Sequence, residues 1–191
     1  GVSSYPFIPE LPGLSDFKGD VIHSEGFQSG EAWKGKRAFI VGTGSSANDI
    51  ALDLHSYGVA TTIIQRGSTT VASIDPSARL NEAVWDEGPP LEDCDLIVDK
   101  DMLEGLKKIG FKVDFGEDET GHQMKYFRRG GGYNLDAGSS RLMINGEIDL
   151  LRYEDIDSFV AEGASLKDGS TVPADLIVLA TGYYPQKELV R

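Results

Sequence analysis

The chain has 191 residues, which is enough for one full domain or for one domain with part of another. Acidic residues outnumber basic ones by 31 to 18, so the formal net charge is −13. A chain this acidic is a poor candidate for nonspecific binding to nucleic acids or anionic membranes, because phosphate groups attract a basic surface. Any anionic ligand must therefore be held by a local device that opposes the overall charge.

Cysteine and histidine are too few and too scattered for a redox or metal site. The single cysteine, Cys94, excludes an internal disulfide, a Cys-x-x-Cys redox pair and a Cys-rich zinc site. His23, His55 and His122 show no metal-ligand spacing. The longest apolar run, residues 176–180, is far shorter than the roughly 20 residues of a membrane span. No signal peptide is visible, so we expect a cytoplasmic protein. Because the cysteine and the histidines show no metal-ligand spacing, we also expect no bound metal ion.

Residues 1–35 are predicted to form an extended linker. Pro6, Pro9 and Pro12 recur at every third position, which favours a polyproline-II-like path. Pro12 is followed by Gly13, a dipeptide typical of turns. Such a segment buries little surface by itself, so we expect it to lie over another part of the molecule.

A β-α-β unit follows the linker. Residues 38–41 form a short apolar run, typical of a strand buried on both faces of a parallel sheet. Residues 60–65 are rich in β-branched side chains and are predicted to form the next strand. Between them, apolar residues share one face of a helix that Gly58 is expected to end. The residues of that face are Ala47, Ile50, Ala51 and Leu54. The polar residues predicted to point away from it are Asn48, Asp49 and Asp53.

Further short elements are predicted after this unit. A helix is expected over residues 99–109, with Asp101 as its cap. Residues 116–138 are rich in glycine and polar residues and are predicted to form a functional or mobile loop. The remaining predicted strands span residues 70–74, 147–151, 158–161, 164–167 and 176–180. The fold class is therefore α/β, a Rossmann-like NAD(P)-binding domain with a parallel sheet core, small antiparallel strands and an extended N-terminal linker.

The junction between the first predicted strand and helix carries the pattern Gly42-x-Gly44-x-x-Ala47. Gly42 permits a tight turn, Gly44 lets a pyrophosphate approach the backbone, and the small Ala47 lets helix and strand pack closely. The helix N-terminus offers unpaired N–H groups and a partial positive charge to phosphates. The alternative is a plain structural turn. The residues predicted to bind a cofactor here are Gly42, Thr43, Gly44, Ser45, Ser46 and Ala47.

The end of the second predicted strand indicates which dinucleotide is preferred. A site that prefers NAD usually places an acidic residue near this position, but this chain has Gln65 and Arg66. Arg66 can contact a 2′-phosphate through a charge-assisted hydrogen bond worth roughly 1.5–3 kcal/mol, about ten- to a hundredfold in affinity. The sequence therefore predicts NADP(H), unless Arg66 is only a solvated surface residue.

Three motifs in a fixed order resemble those of the flavin-containing monooxygenases. A Phe-x-Gly-x-x-x-His-x-x-x-Phe pattern is similar to the identifying sequence of that family, and it precedes the Gly42 motif. Its residues are Phe17, Gly19, His23 and Phe27. The third motif resembles the Ala-Thr-Gly that ends the nucleotide domain of flavoproteins with two dinucleotide-binding domains. Its residues are Ala180, Thr181 and Gly182. Residues 125–133 and the Gln65-Arg66 ending also resemble the fungal and bacterial branch.

The resemblance implies an enzyme that binds FAD in one Rossmann domain and NADPH in a second, inserted domain. NADPH reduces FAD, and a C4a-(hydro)peroxyflavin then oxygenates a small organic substrate. The family's glycine-rich FAD fingerprint is not found in this sequence. The resemblance therefore implies a connector from a missing FAD domain over residues 1–35, an NADP(H)-binding domain over residues 36–174, and a return connector over residues 175–191.

The resemblance also implies roles for single residues. FAD would bind mostly outside this chain, so no residue is assigned as catalytic. The identifying motif is expected to make domain-crossing contacts, and the Ala-Thr-Gly residues are expected to lie near both cofactors. An apolar patch around Phe7, Ile8 and Phe27 is predicted where the missing FAD domain docks, and that patch could also pair two copies as a dimer.

Other interpretations stay open at this point. The sequence does not exclude a non-catalytic NAD(P)-binding or sensing module, or another flavoprotein oxidoreductase with two dinucleotide-binding domains. A disulfide reductase is disfavoured because dithiol chemistry needs two thiols. Arg128, Arg129 and Tyr133 are either solvated or in contact with NADPH or with the FAD domain.

Overall fold

The computed structural model describes residues 3–75, 99–116, 119 and 121–185. Within these ranges the chain forms four α-helices and thirteen strands, joined in places by short 3-10 turns. The helices are α1 (Ser45–Ser56), α2 (Lys100–Lys108), α3 (Gly121–Arg129) and α4 (Ser139–Ile144). The strands are β1 (Ser3–Pro6), β2 (Asp20–His23), β3 (Arg37–Val41), β4 (Ala60–Gln65), β5 (Thr69–Ser73), β6 (Val113–Asp114), β7 (Tyr133–Asp136), β8 (Asp149–Arg152), β9 (Ile156–Val160), β10 (Gly163–Leu166), β11 (Thr171–Pro173), β12 (Leu176–Leu179) and β13 (Tyr183–Pro185).

A parallel sheet with the strand order β2-β12-β3-β4-β8 forms the centre of the described structure. Helix α1 connects β3 to the parallel neighbour β4, so the predicted β-α-β unit and parallel core are confirmed. Strands β2 and β12 also belong to this sheet, although both lie in segments that the sequence predicted as connectors. Residues 20–23 and 176–179 are therefore integral to the sheet.

Both faces of the central sheet are covered. Along β3, Ala38 and Ile40 pack on the side of α1, α2 and α4, whereas Phe39 and Val41 pack on the opposite side. The opposite side is covered by an antiparallel sheet with the order β11-β10-β9, whose Phe159 is buried. A turn at Asp168 and Gly169 joins β10 to β11. Burial on both faces explains why β3 and β12 are continuous apolar runs.

Helix α1 ends as predicted, but its polar face differs from the prediction. Gly58, with a φ of 76°, follows the last turn as the predicted stop. Asn48, however, is buried, with only 1% of its surface exposed. The prediction that it points away from the apolar face was wrong, because its side chain has hydrogen-bond partners inside the protein.

The segment predicted as a loop over residues 116–138 contains regular structure instead. It includes α3 and β7, and β7 pairs in parallel with β5, which also pairs with β6. The sequence does not indicate these elements, because α3 is very polar and the glycines at 130–132 interrupt the apolar pattern. Helix α2 was predicted correctly, but Asp99, not Asp101, is its N-cap.

The N-terminal segment is more ordered than a polyproline linker. Strand β1 pairs in antiparallel fashion with β13, and β2 extends the central sheet. The predicted apolar patch is also smaller than expected, since Ile8 is exposed while Phe7 and Phe27 are half-buried. Cys94 and the expected loop at residues 88–90 lie outside the described residues. None of the described helices combines the length and the apolar character needed to cross a bilayer.

Candidate functional site

The carboxyl ends of β3, β4 and β12 meet at one edge of the central sheet. The register places Val41 beside Ile64 on one side and beside Leu179 on the other. A cleft of about 680 Å³ opens at this edge. Strands β4 and β12 lie on opposite sides of β3, so the strand order changes direction at this point of the sheet. Open α/β sheets bind their ligands at such a point, beyond the carboxyl ends of the strands.

Nearly all of the residues that the sequence predicted to bind a cofactor line this cleft. They are Gly42, Thr43, Gly44, Ser45, Ser46, Ala47, Arg66, Ala180, Thr181 and Gly182. They come from three separate parts of the chain, which the parallel register brings together. Their binding role stays a prediction, but their common location is a property of the fold.

Gly42 is required by the backbone. Its φ is 130°, and a Cβ atom there would lie 2.3 Å from the carbonyl oxygen of Ala180. Its N–H donates to the carbonyl oxygen of Ile64 at 3.0 Å. The turn therefore passes so close to β12 that only glycine fits.

Gly44 is different, because the protein itself does not require glycine there. Its φ of −77° is ordinary, and a Cβ atom would meet only the carbonyl oxygen of Tyr133, at 3.5 Å. The space over Gly44 opens into the cleft. A bare backbone facing open space is what the close approach of a phosphate needs.

The N-terminus of α1 points its first turn at the cleft. Ser45 and Ser46 open the helix and line the cleft. The first N–H groups of a helix lack intrahelical partners and carry a partial positive charge. The Ser45 hydroxyl oxygen accepts a hydrogen bond from the Leu135 N–H at 3.1 Å, which fixes the first turn against β7. This helix tip can attract an anion locally despite the net negative charge of the chain.

Asn48 supports the glycine turn from below, and sequence reasoning missed it. Its Nδ2 donates to the carbonyl oxygens of Thr43 and Gly44, both at 3.0 Å. Its Oδ1 accepts from the Ser139 hydroxyl at 2.7 Å. An asparagine next to the apolar positions of a helix that follows a glycine turn is the signal that could have identified it.

Gln65, which the sequence predicted to bind the cofactor, does not line the cleft. It is fully buried. Its amide nitrogen Nε2 donates to the Lys112 carbonyl oxygen at 3.0 Å, and its Oε1 accepts from the Lys112 N–H at 2.8 Å. The next residue, Arg66, is exposed and lines the cleft. Among the described residues no ion pair is formed by Arg66, so its guanidinium is available to an anionic ligand.

His23 links the identifying motif to the Ala-Thr-Gly motif. Its Nδ1 accepts from the Glu25 N–H at 3.2 Å, so the ring proton sits on Nε2, which donates to the Gly182 carbonyl oxygen at 3.0 Å. The Thr181 hydroxyl donates to the Phe7 carbonyl oxygen. Both predicted crossing segments are therefore tied together beside the cleft.

The other residues of the identifying motif are structural in the described protein. Phe17 is buried in the core between the central and antiparallel sheets. A Cβ atom on Gly19 would lie 2.4 Å from the Asp175 carbonyl oxygen. Phe27 packs, half-buried, against the core on the α1 side. These three hold the N-terminal segment on the domain.

Helix α3 and the glycines that follow it form the other side of the cleft. Tyr126, Arg129 and Tyr133 line it, whereas Arg128 does not. The rings of Tyr126 and Tyr133 meet edge to face, with centroids 6.2 Å apart. Partial burial, and to a smaller extent the neighbouring Tyr126, raises the pKa of the Tyr133 hydroxyl, which is protonated near neutral pH and can donate a hydrogen bond.

No group of three His, Cys, Asp or Glu side chains within the described ranges is arranged to hold a metal ion. The site consists instead of a glycine turn, a helix tip, a guanidinium and aromatic rings. The parallel sheet and the glycine turn at its carboxyl edge together place this domain in the Rossmann class of α/β folds.

Comparisons with known proteins agree with this class. The sequence model of the family described as "FMO-like: Flavin-binding monooxygenase-like" matches residues 1–92. The probable indole-3-pyruvate monooxygenase YUCCA7 of Arabidopsis thaliana is 29% identical over 96% of this chain and 42% of its own length. YUCCA9 of the same plant is 28% identical over 96% of this chain and 44% of its own length.

A solved structure shows the same fold. Cyclohexanone monooxygenase from Rhodococcus sp. Phi1, crystallised with NADP⁺, superposes with a TM-score of 0.64 at 20% sequence identity, over 99% of this chain and 46% of that one. These matches agree with the resemblance to the flavin-containing monooxygenases that the motifs carry. The chain spans less than half the length of the curated relatives that it matches.

Proposed function

We propose that this chain is the NADPH-binding portion of a flavin-dependent monooxygenase that acts on a small organic substrate. The proposal rests on one observation above all. The open space over Gly44 lies in front of the N-terminus of α1, in a cleft that also contains Arg66. A backbone that approaches a diphosphate closely and a guanidinium for a 2′-phosphate are the two features that NADPH needs.

Each part of the cleft has a separate task in this proposal. The Gly44 turn and the N–H groups of Ser45 and Ser46 hold the pyrophosphate. Arg66 holds the 2′-phosphate and so selects the phosphorylated dinucleotide. The Ala180-Thr181-Gly182 segment lies where β12 leaves the sheet and orients the end of the dinucleotide that faces the crossing segments.

When it is bound, NADPH supplies a hydride to the flavin. This chain's contribution is to bind and orient NADPH. FAD is proposed to bind mostly to residues outside residues 1–191, with residues 1–35 and 175–191 leading to and from its domain and residues 36–174 holding NADP(H). The substrate site, a dimer contact and a cytoplasmic location are likewise parts of the proposal.

A matched pair of glycine variants tests the binding site. Gly44→Ala places a methyl group in the cleft without a backbone clash, so the variant should fold normally and bind NADPH at least tenfold more weakly. Gly26→Ala is the control, because nothing lies within 4 Å of its added Cβ and Gly26 does not line the cleft. NADPH titration of the 191-residue chain by calorimetry measures both. Equal affinities in the two variants would contradict the proposal.

Cofactor preference tests the role of Arg66. Arg66→Ala should lower the affinity for NADPH by about ten- to a hundredfold and leave the affinity for NADH nearly unchanged. Arg128→Ala is the control, since Arg128 is an exposed arginine of α3 that does not line the cleft. If Arg66→Ala left the ratio of the NADPH and NADH affinities unchanged, the proposed role of Arg66 in selecting NADP(H) would be wrong.

The purified chain should show no stable yellow flavin spectrum, because most of the FAD site is proposed to lie elsewhere.

A further inference from the structure

A buried cation lies behind the cleft on α3. The Lys125 side chain is only 5% exposed, and its Nζ lies 2.7 Å from each carboxylate oxygen of Asp114. Neither residue lines the cleft, so neither is positioned to contact a ligand. Burying a charge pair is costly, and a hydrophobic pair of similar volume is often as stable. The pair therefore calls for an explanation beyond stability.

The Asp114 carboxylate accepts hydrogen bonds from several parts of the chain next to the cleft. Besides Lys125, its carboxylate accepts from the Thr70 hydroxyl, from the Gly116 N–H at 2.9 Å, and from the Ser68 side chain. Burial by itself would raise the pKa of the Asp114 carboxyl, but these hydrogen bonds outweigh it and hold the pKa well below its usual range. The carboxylate is thus ionised whenever the protein is folded near neutral pH.

The pair joins two walls of the cleft that are far apart in sequence. Ser68 follows Arg66 by two residues, and both line the cleft. On the other wall, Lys125 precedes Tyr126, and a Cβ atom on Gly132 would lie 3.1 Å from the Lys125 Cε. The Thr70 N–H donates to the Gly132 carbonyl oxygen at 3.2 Å, directly beside the pair.

We propose that the Lys125–Asp114 ion pair is a positioning device that sets the distance between the Arg66 wall and the α3 wall, and thereby the affinity for the 2′-phosphoadenosine half of the dinucleotide. This inference rests on the proposed function. A charge pair with several hydrogen bonds has a narrow optimum of distance and angle, which an apolar contact lacks. Tyr126 and the backbone at residues 130–132 are therefore held opposite Arg66 before the ligand binds, which lowers the entropy lost on binding.

The test uses 2′,5′-ADP, the fragment that carries the phosphorylated adenosine half, with the 191-residue chain. The double variant Asp114→Asn/Lys125→Met removes both charges and so leaves no unpaired buried ion. We expect it to fold and to bind 2′,5′-ADP about tenfold more weakly than the unmodified chain. Asp114→Glu keeps the charges but lengthens one partner by a methylene group, and it should also weaken binding because it moves the walls apart.

A matched control separates positioning from general destabilisation. Phe159→Leu removes buried volume from the far side of the central sheet and should lower the unfolding midpoint without changing the dissociation constant of 2′,5′-ADP. Unchanged affinity in both Asp114 variants would overturn the positioning role while leaving the proposed function intact. If the unmodified chain bound neither 2′,5′-ADP nor NADPH, the proposed function itself would be wrong and this inference would fall with it.

Discussion

The two walls of the cleft are built in opposite ways. The glycine-turn wall, residues 42–47, is set by contacts with the strands next to it, such as the hydrogen bond from the Gly42 N–H to Ile64. The α3 wall, residues 126–133, depends on side chains distant in sequence, since Lys125 reaches Thr70 and Asp114. In the first wall, Gly42 is fixed by its close approach to the Ala180 carbonyl oxygen. The second wall is joined to β5 by strand pairing and is held behind the cleft by the Lys125–Asp114 pair, so we expect a change at that pair to shift it.

The largest expected effect tests the rigidity of the glycine-turn wall. Gly42→Ala forces a Cβ atom to 2.3 Å from the Ala180 carbonyl oxygen at a φ of 130°. Strain and clash together should lower the free energy of unfolding by about 3 kcal/mol or more. Urea denaturation followed by circular dichroism measures the loss. Gly44→Ala, in the same turn, should lose less than about 1 kcal/mol, and a similar loss in both variants would show that the turn is not limited by its approach to β12.

This difference between the walls also decides what the sequence could predict. The glycine turn was predicted from a few neighbouring residues because strand, turn and helix are contiguous and each has a local pattern. Arg66 and the Ala-Thr-Gly segment reach the same cleft because parallel strands end at one edge. Helix α3 could not be predicted in this way, since it is very polar and the Lys125–Asp114 pair that holds it leaves no periodic pattern in the sequence.

Two individual residues show the same limit. Gln65 was expected to contact the cofactor because of its place beside Arg66, yet strand alternation turns it away from the cleft and toward Lys112. Asn48 was expected at the surface because it is polar, yet its side chain donates to the carbonyl oxygens of Thr43 and Gly44 in the glycine turn. In both cases the deciding contact is a hydrogen bond to backbone, which residue type and spacing do not report.

A second prediction concerns the support beneath the glycine turn. Asn48→Leu keeps the size of the side chain but removes its hydrogen bonds to Thr43, Gly44 and Ser139. The unfolding free energy should fall by about 1–3 kcal/mol, because the Thr43 carbonyl oxygen loses the donor that Asn48 supplies. NADPH affinity should fall as well, since the turn is no longer held. Asp49→Ala, on the exposed side of α1, is the control, and if it were the more damaging change, the support role of Asn48 would be refuted.

A third prediction uses acid to loosen the α3 wall. The pKa of Asp114 is lower in the folded chain than the roughly 3.9 of an unfolded aspartate, so the unfolded chain binds more protons as pH falls. The stability that the pair provides is complete above about pH 5 and is lost progressively below about pH 4. Unfolding midpoints measured from pH 6 to pH 3 should show this loss for the unmodified chain. The double variant Asp114→Asn/Lys125→Met should show a shallower dependence on pH.

Asp175 is the natural comparison for that experiment. A side-chain hydrogen bond from Arg37 is the main cause that lowers the pKa of Asp175 to about 2, and this pair is more exposed than the Lys125–Asp114 pair. Exposed ion pairs contribute little to stability. Asp175→Asn should therefore flatten the pH profile less than the double variant does. A larger flattening in Asp175→Asn would mean that the buried pair is not the main acid-sensitive contact.

The smallest expected effect concerns the crossing segments, which belong to neither wall. His23→Phe removes the hydrogen bond from Nε2 to the Gly182 carbonyl oxygen, but the Phe7 N–H still donates to the same oxygen at 2.9 Å. The acceptor is therefore not left unpaired, and the free energy of unfolding should fall by no more than about 1 kcal/mol. The affinity for 2′,5′-ADP should not change, because that fragment is expected between Arg66 and α3. A tenfold loss of that affinity in His23→Phe would show that the crossing segments help to set the distance between the two walls. The crossing segments would then be a third structural support of the cleft, beside the glycine turn and the Lys125–Asp114 pair.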